Sequence, residues 1–215
     1  MNSSDFCFDE AKLNDLRATV RARLSPKRWN HTAEVENMVA RLAALYCPSK
    51  TDLLRAAALL HDLTKEWSVE QHCVFCASHG IRLTTQDILA HKTLHARTAA
   101  ALIPQEFPAF AHPVLISAVR WHTTGRAKMT LPEKLLYLAD YIDASRTFSD
   151  CVALREAFWN AQPQKMSSAA RREHLRNILL RSFDMTITGL LADGLPIAGD
   201  TIAARNALIL EGAKT

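Results

Sequence analysis

Apolar residues recur at helical spacing along almost the whole chain, and alternation with period two is nowhere sustained. Residues 9–24 place Leu13, Leu16, Val20 and Leu24 on one face, and residues 27–46 do the same with Val35, Met38, Val39, Leu42 and Leu45. Thr51 stands where it would cap a third helix, running through Leu53, Leu54, Ala58, Leu59 and Leu60 into His61-Asp62. Ser68-Val-Glu-Gln71 and Thr130-Leu-Pro-Glu133 both have the spacing of a capping box, and the helix opened by the first would stop at Gly80. A helix over 95–102 is expected to end before Pro104, and Pro113 to open one that reaches His122, with Gly125 just beyond it. Further helices are expected over 134–142, 149–160, 168–192 and 201–210, the third of these stopped by Gly194-Leu-Pro196. With only six glycines and three tyrosines, the chain reads as all-α. No repeat or linker interrupts the series, so residues 1–215 read as a single helical bundle domain.

Composition narrows the class. A chain of 215 residues can bury a sizeable core without staples, and 48% hydrophobic with 22% charged residues is ordinary for a soluble globular protein. No apolar stretch approaches the roughly 20 residues that span a bilayer, and residues 1–10 are polar and acidic, unlike a signal peptide. The five cysteines, at 7, 47, 73, 76 and 151, are too scattered for a disulfide framework, so the expected setting is the reducing cytoplasm. A net charge of +4 with no block of like charges gives no nucleic-acid tail and would suit a small anionic ligand.

The chemistry-bearing residues begin with His61-Asp62, a neutral imidazole beside a carboxylate, which together suit divalent metals of borderline hardness. Such a pair alone is common. Its weight comes from His31, His95, His122 and Asp140, each on a different expected helix, because four histidines and two aspartates so placed converge only in a bundle core. Asp140 follows Leu135, Leu136 and Leu138 in an apolar turn, where a carboxylate is costly unless it meets a cation. Six ligands plus open water positions exceed one ordinary site, so two metal ions are expected. Ligation by His and carboxylate without Cys suits iron, manganese or cobalt and is compatible with zinc. Cys73-Val-Phe-Cys76, flanked by His72 and His79, invites a separate zinc reading but lacks a second pair, and is read as packing. Trp29, Trp121 and Tyr141 either floor a base-binding pocket or, as the simpler reading, pack the core beneath the metals.

The order His31, His61-Asp62, Asp140 resembles the HD-superfamily signature. The phrases Arg28-Trp-Asn-His31-Thr, His61-Asp-Leu-Thr-Lys65, Leu94-His95-Ala, Arg120-Trp-His122-Thr-Thr-Gly-Arg126 and Ala139-Asp-Tyr-Ile-Asp-Ala-Ser-Arg146 resemble the YqeK family. The resemblance covers about 28–146, with the helices over 149–212 completing the domain. It implies a bacterial HD hydrolase that cleaves diadenosine tetraphosphate symmetrically into two ADP, with iron as the metal, and the mechanism expected from such ions is attack of metal-bound hydroxide on phosphorus. It also implies that His31, His61, Asp62 and Asp140 hold one ion, and that Asp62 bridges to a second held by His95 and His122. Asp62 and Lys65 are then the catalytic candidates.

Guanidinium forks suit phosphate oxygens, so Arg126 and Arg146 are the expected phosphate clamps, with Lys65 as a point charge and Arg28 a further candidate. The chain departs from the family pattern in two places. Asp143-Ala144-Ser145 stands where members carry Glu-Pro-Asn, leaving Asp143, a substrate-binding candidate, one methylene shorter, and Glu34 replaces a small residue. The expected partner is a dinucleoside polyphosphate, with no nucleic acid or membrane, in a chain that could form a homodimer. Rival readings are an HD phosphohydrolase acting on mononucleotides or deoxynucleotides, and a nucleotide-binding accessory protein with little turnover.

Overall fold

In a computed structural model, residues 8–213 are described. They form eleven α-helices joined by turns and short 3-10 segments, with no strand among the described residues. In chain order these are α1 (Glu10–Arg21), α2 (Pro26–Tyr46), α3 (Thr51–Leu60), α4 (Val69–Ser78), α5 (Thr85–Leu89), α6 (Leu94–Glu106), α7 (Pro113–Trp121), α8 (Leu131–Ile142), α9 (Ser149–Asn160), α10 (Ser168–Ala192) and α11 (Gly199–Gly212). None is long and apolar enough to cross a membrane. Cys7 lies outside the described residues.

The centre of the bundle is α3. Leu54 and every residue from Ala56 to Leu60 are fully buried, so the C-terminal half of this helix is apolar all round. It packs against α1, α2, α7 and α8, and so its C-terminus delivers His61 and Asp62 into the middle of the molecule. Around it, α2 contributes Val35, Met38, Val39 and Leu42, and α8 contributes Leu135, Leu136 and Leu138. The layer of α9, α10 and α11 closes the side of α8 through Phe158, Leu179, Phe183 and Leu208.

Local chemistry accounts for most helix starts. Asp9 accepts the Lys12 amide at 2.8 Å to open α1, and Ser25 accepts that of Arg28 to open α2. The Ser68/Gln71 box is reciprocal, with bonds of 2.8 and 3.2 Å, and α4 ends before Gly80 at φ +65°. Three expectations need correction. Thr51 is the first residue of α3 rather than its cap, and its hydroxyl donates to the Pro48 carbonyl. Helix α6 runs through Pro104 to Glu106. A proline this close to the C-terminus forfeits one bond, and the Phe107 amide still closes the helix on Ile103 at 2.8 Å. The five-residue α5 was not expected at all, being too short to show an apolar stripe.

Gly125 ties the turn after α7 to the last layer. Its φ is +63°, and a Cβ there would lie 2.7 Å from Phe183 Cζ and 2.9 Å from Ala204 Cβ. Gly125→Ala is therefore expected to cost about 2 kcal/mol from left-handed strain and overpacking. Urea denaturation against the wild type measures it.

Candidate metal centre

Five helices or their ends supply the six expected ligands. His31 lies in the second turn of α2, His95 in the first of α6 and Asp140 in the last of α8, whereas His61 and His122 are the C-cap residues of α3 and α7. Three of the imidazoles are oriented the same way. His61 Nδ1 lies 2.5 Å from the Ala58 carbonyl, His95 Nδ1 2.9 Å from that of Lys92, and His122 Nδ1 2.7 Å from that of Val119. A carbonyl can only accept, so each Nδ1 carries the proton and each Nε2 presents its lone pair inward. His31 Nδ1 instead faces the Asp143 carboxylate at 3.3 Å, with its Nε2 turned toward the same centre. A carboxylate or carbonyl behind the outer nitrogen is the usual support of a metal-ligating histidine.

The four Nε2 atoms surround Asp62, which is almost fully buried. Its Oδ2 lies 3.6 Å from His31 Nε2 and 3.5 Å from His61 Nε2, and its Oδ1 lies 3.3 Å from His95 Nε2 and 3.9 Å from His122 Nε2. One carboxylate thus turns one oxygen to each histidine pair. Asp140 Oδ1 joins the first pair, 3.0 Å from His31 Nε2 and 3.9 Å from His61 Nε2. Two groups converge tightly enough to hold an ion, His31/His61/Asp140 and His61/Asp62/His122.

The donor set fits a divalent metal on physical grounds. His61 Nε2 is buried with no hydrogen-bond partner, a costly condition that a cation would relieve. His95 and His122 bring their Nε2 atoms within 3.1 Å of each other. The Thr123 hydroxyl stands 3.1 and 3.0 Å from the two, but its single proton serves one lone pair at a time. Burial lowers the pKa of His61, His95 and His122, the last to about 4, so these imidazoles are neutral as ligands must be. Burial also works against the charge on Asp140, but the Arg146 guanidinium and His31 outweigh it and hold the carboxyl well below its usual range. At His31 burial is again overcome, by Asp140 and Asp143, and the pKa rises to about 9.

A cleft of about 420 Å³ opens over His31, Asp62 and Asp140 and is walled by Arg28, Lys65 and Arg146. Arg28 Nη1 donates to Asp62 Oδ2 at 2.6 Å. Arg146 donates through Nη2 to Asp140 at 2.7 Å and through Nε to Asp143 at 3.2 Å. Lys65 Nζ lies 3.3 to 3.4 Å from the two ring nitrogens of His95. Three of the four expected cations therefore meet at the centre.

Arg126 does not. Its Nε and Nη2 clasp the carboxylate of Glu133 at 3.0 to 3.2 Å, and it is not among the residues lining this cleft. The reason is Glu133 itself, the fully buried acid of the second capping box, which needs a cationic partner. Asp143 also differs from its expected place as a substrate contact. It is fully buried behind His31, accepting from Arg146 and from the Ser145 amide at 2.8 Å. Trp29 and Tyr141 pack against the core, and Trp121 lies under Arg120 at 4.0 Å. Cys73 and Cys76 are free thiols, and His72 faces the Thr98 hydroxyl at 3.0 Å, so no metal group forms there among the described residues. Sequence reasoning missed Thr123 and Ser145, both beside ligand motifs, and Phe148, whose place at the cleft depends on the turn after α8.

Comparison with known proteins agrees with this geometry. The HD domain model matches residues 28–145, which contain all six candidate ligands. A symmetrical bis(5'-nucleosyl)-tetraphosphatase from Halalkalibacterium halodurans is 32% identical over 194 residues, 89% of this chain and 94% of that protein. Its counterpart from Staphylococcus aureus is 30% identical over 65% of this chain and 71% of its own length. A crystal structure from Clostridium acetobutylicum, described as a predicted HD superfamily hydrolase involved in NAD metabolism, superposes with a TM-score of 0.80 at 31% identity, covering 92% of this chain and 97% of its own. The chain belongs to the HD domain family and, within it, to the group that contains the symmetrical bis(5'-nucleosyl)-tetraphosphatases.

Proposed function

We propose that this chain is a metal-dependent hydrolase that cleaves diadenosine tetraphosphate between its second and third phosphates, giving two ADP. The observation that carries it is Asp62, with one oxygen turned to His31 and His61 and the other to His95 and His122. Related proteins named as symmetrical bis(5'-nucleosyl)-tetraphosphatases support the substrate class. His31, His61, Asp62 and Asp140 would hold one transition-metal ion, and Asp62, His95 and His122 a second, with iron the ion expected from the family resemblance. Bound there, such ions acidify water and draw charge from phosphoryl oxygens.

The chain's own residues do the positioning. Arg28, Lys65 and Arg146 line the cleft and give a chain of phosphates cationic contacts beside the acids. Arg146 spends Nε and Nη2 on Asp143 and Asp140, which fixes its fork at the cleft wall with the remaining nitrogen free to reach phosphate. Lys65 beside His95 is placed to offset charge growing on the departing ADP. ADP is a good leaving group, so a strong general acid is not required. Asp143 orients His31 and takes the role of a positioning residue.

A panel of dinucleoside polyphosphates and mononucleotides, assayed with the metal-loaded protein, tests the reading. Turnover of diadenosine tetraphosphate well above every mononucleotide is expected, and turnover confined to mononucleotides would reject it. Arg146→Ala is expected to lower kcat/KM by about 10- to 100-fold, the scale of one charge-assisted bond. Arg146→Lys should recover little of this, since a point charge cannot hold both acids and a phosphate. Wild-type kinetics in the alanine variant would remove Arg146 from substrate binding.

A further inference from the structure

At the mouth of the metal cleft stands a side chain that serves neither the fold nor the metal ligands. Phe148 is 73% exposed, the most exposed large apolar residue among those described, yet it lines the same cleft as His31, Asp62 and Arg146. It occupies the N-cap position of α9, where Ser, Thr, Asp or Asn is preferred, and makes no capping hydrogen bond. An aromatic ring left in water at a position that favours a small polar residue breaks a local rule, and such breaks cluster at binding sites.

The loop that carries it is pinned. Arg155 Nη1 donates to the carbonyls of Asp143 at 2.5 Å and Arg146 at 3.3 Å, and the Ser145 amide donates to Asp143. Little ordering cost therefore remains when a ligand meets the ring. Phe148 and Arg146 line one cleft, which brings an aromatic ring and a guanidinium within reach of one ligand. A ligand with phosphates and a flat heterocycle matches this pairing of charge and ring, because every nucleobase has a face that stacks on an aromatic side chain.

We infer that Phe148 is the platform on which one nucleobase of the substrate stacks. The inference rests on the functional reading above and names the base-binding end of the same site. Stacking tolerates any base, so Phe148 contributes affinity for nucleotides over bare polyphosphate without selecting adenine. The side chain is exposed, so its replacement leaves the fold intact.

The test uses calorimetric binding of ADP and of inorganic tripolyphosphate to metal-loaded wild type, Phe148→Ala and Phe148→Trp, with steady-state kinetics on diadenosine tetraphosphate alongside. In Phe148→Ala, ADP is expected to bind about tenfold more weakly, with the kinetic loss falling on KM rather than kcat. Tripolyphosphate affinity should shift by less than about twofold, the effect being confined to the base, and Phe148→Trp should restore ADP binding. Unchanged ADP affinity in the alanine variant overturns the inference, as does a parallel loss for ADP and tripolyphosphate, which would mean a disturbed loop. A wild type that binds ADP through Phe148 but leaves the dinucleotide intact rejects the functional reading and upholds the platform.

Discussion

Asp62→Asn is expected to purify without either metal ion and to lose about three orders of magnitude in kcat/KM, the scale of several kcal/mol of charge stabilisation. Asparagine keeps the volume and can still accept from Arg28, which now bonds Asp62 at 2.6 Å, so the fold should survive. What disappears is the single negative charge that faces all four histidines. Replacing a ligand of one pair has a smaller consequence. His122→Ala should keep the ion held by His31, His61 and Asp140 and lose the other. Elemental analysis beside circular dichroism separates these outcomes. Full metal content in His122→Ala with wild-type activity would contradict the two-ion arrangement.

Glu133→Ala is expected to be strongly destabilising, at about 3 kcal/mol, the cost of two buried groups left without their acceptor. The carboxylate is fully buried and accepts from Arg126, from Ser117 Oγ and from the Thr130 amide at 2.7 Å. Its removal strands a helix-start amide and a hydroxyl, while Arg126, about one-third exposed, can turn to water. Arg126→Ala leaves the acid buried without its cation, so it should also cost stability rather than phosphate affinity. Urea denaturation of both variants with ADP binding to Arg126→Ala decides the matter. A large loss of ADP affinity at unchanged stability would return Arg126 to the cleft.

The pair illustrates what could and could not be read from the chain. The capping box Thr130–Glu133 is visible as a spacing, and so is the helix it starts. That the same glutamate captures Arg126, seven residues back, is a matter of burial that no spacing reveals. The convergence of the candidate ligands was legible because four histidines and two aspartates on separate apolar helices meet only in the bundle core, and α3 must deliver His61-Asp62 to the centre. Asp143 looked like a substrate contact because it sits in a motif. Its full burial behind His31 sets it apart from the cleft wall. Phe148 could not be read at all, since exposure, not residue type, sets it apart from the chain's other phenylalanines. Pro104 does not stop α6, because the cost of a proline depends on how much helix remains beyond it.

Hydrolysis at the middle of the tetraphosphate by water attack on phosphorus leaves its own isotopic record. Mass spectrometry of the products formed from diadenosine tetraphosphate by the metal-loaded protein in oxygen-18 water reads that record. The expected result is ADP alone, with half of the molecules carrying one heavy oxygen on the terminal phosphate. ATP with AMP, or ADP without label, would contradict it.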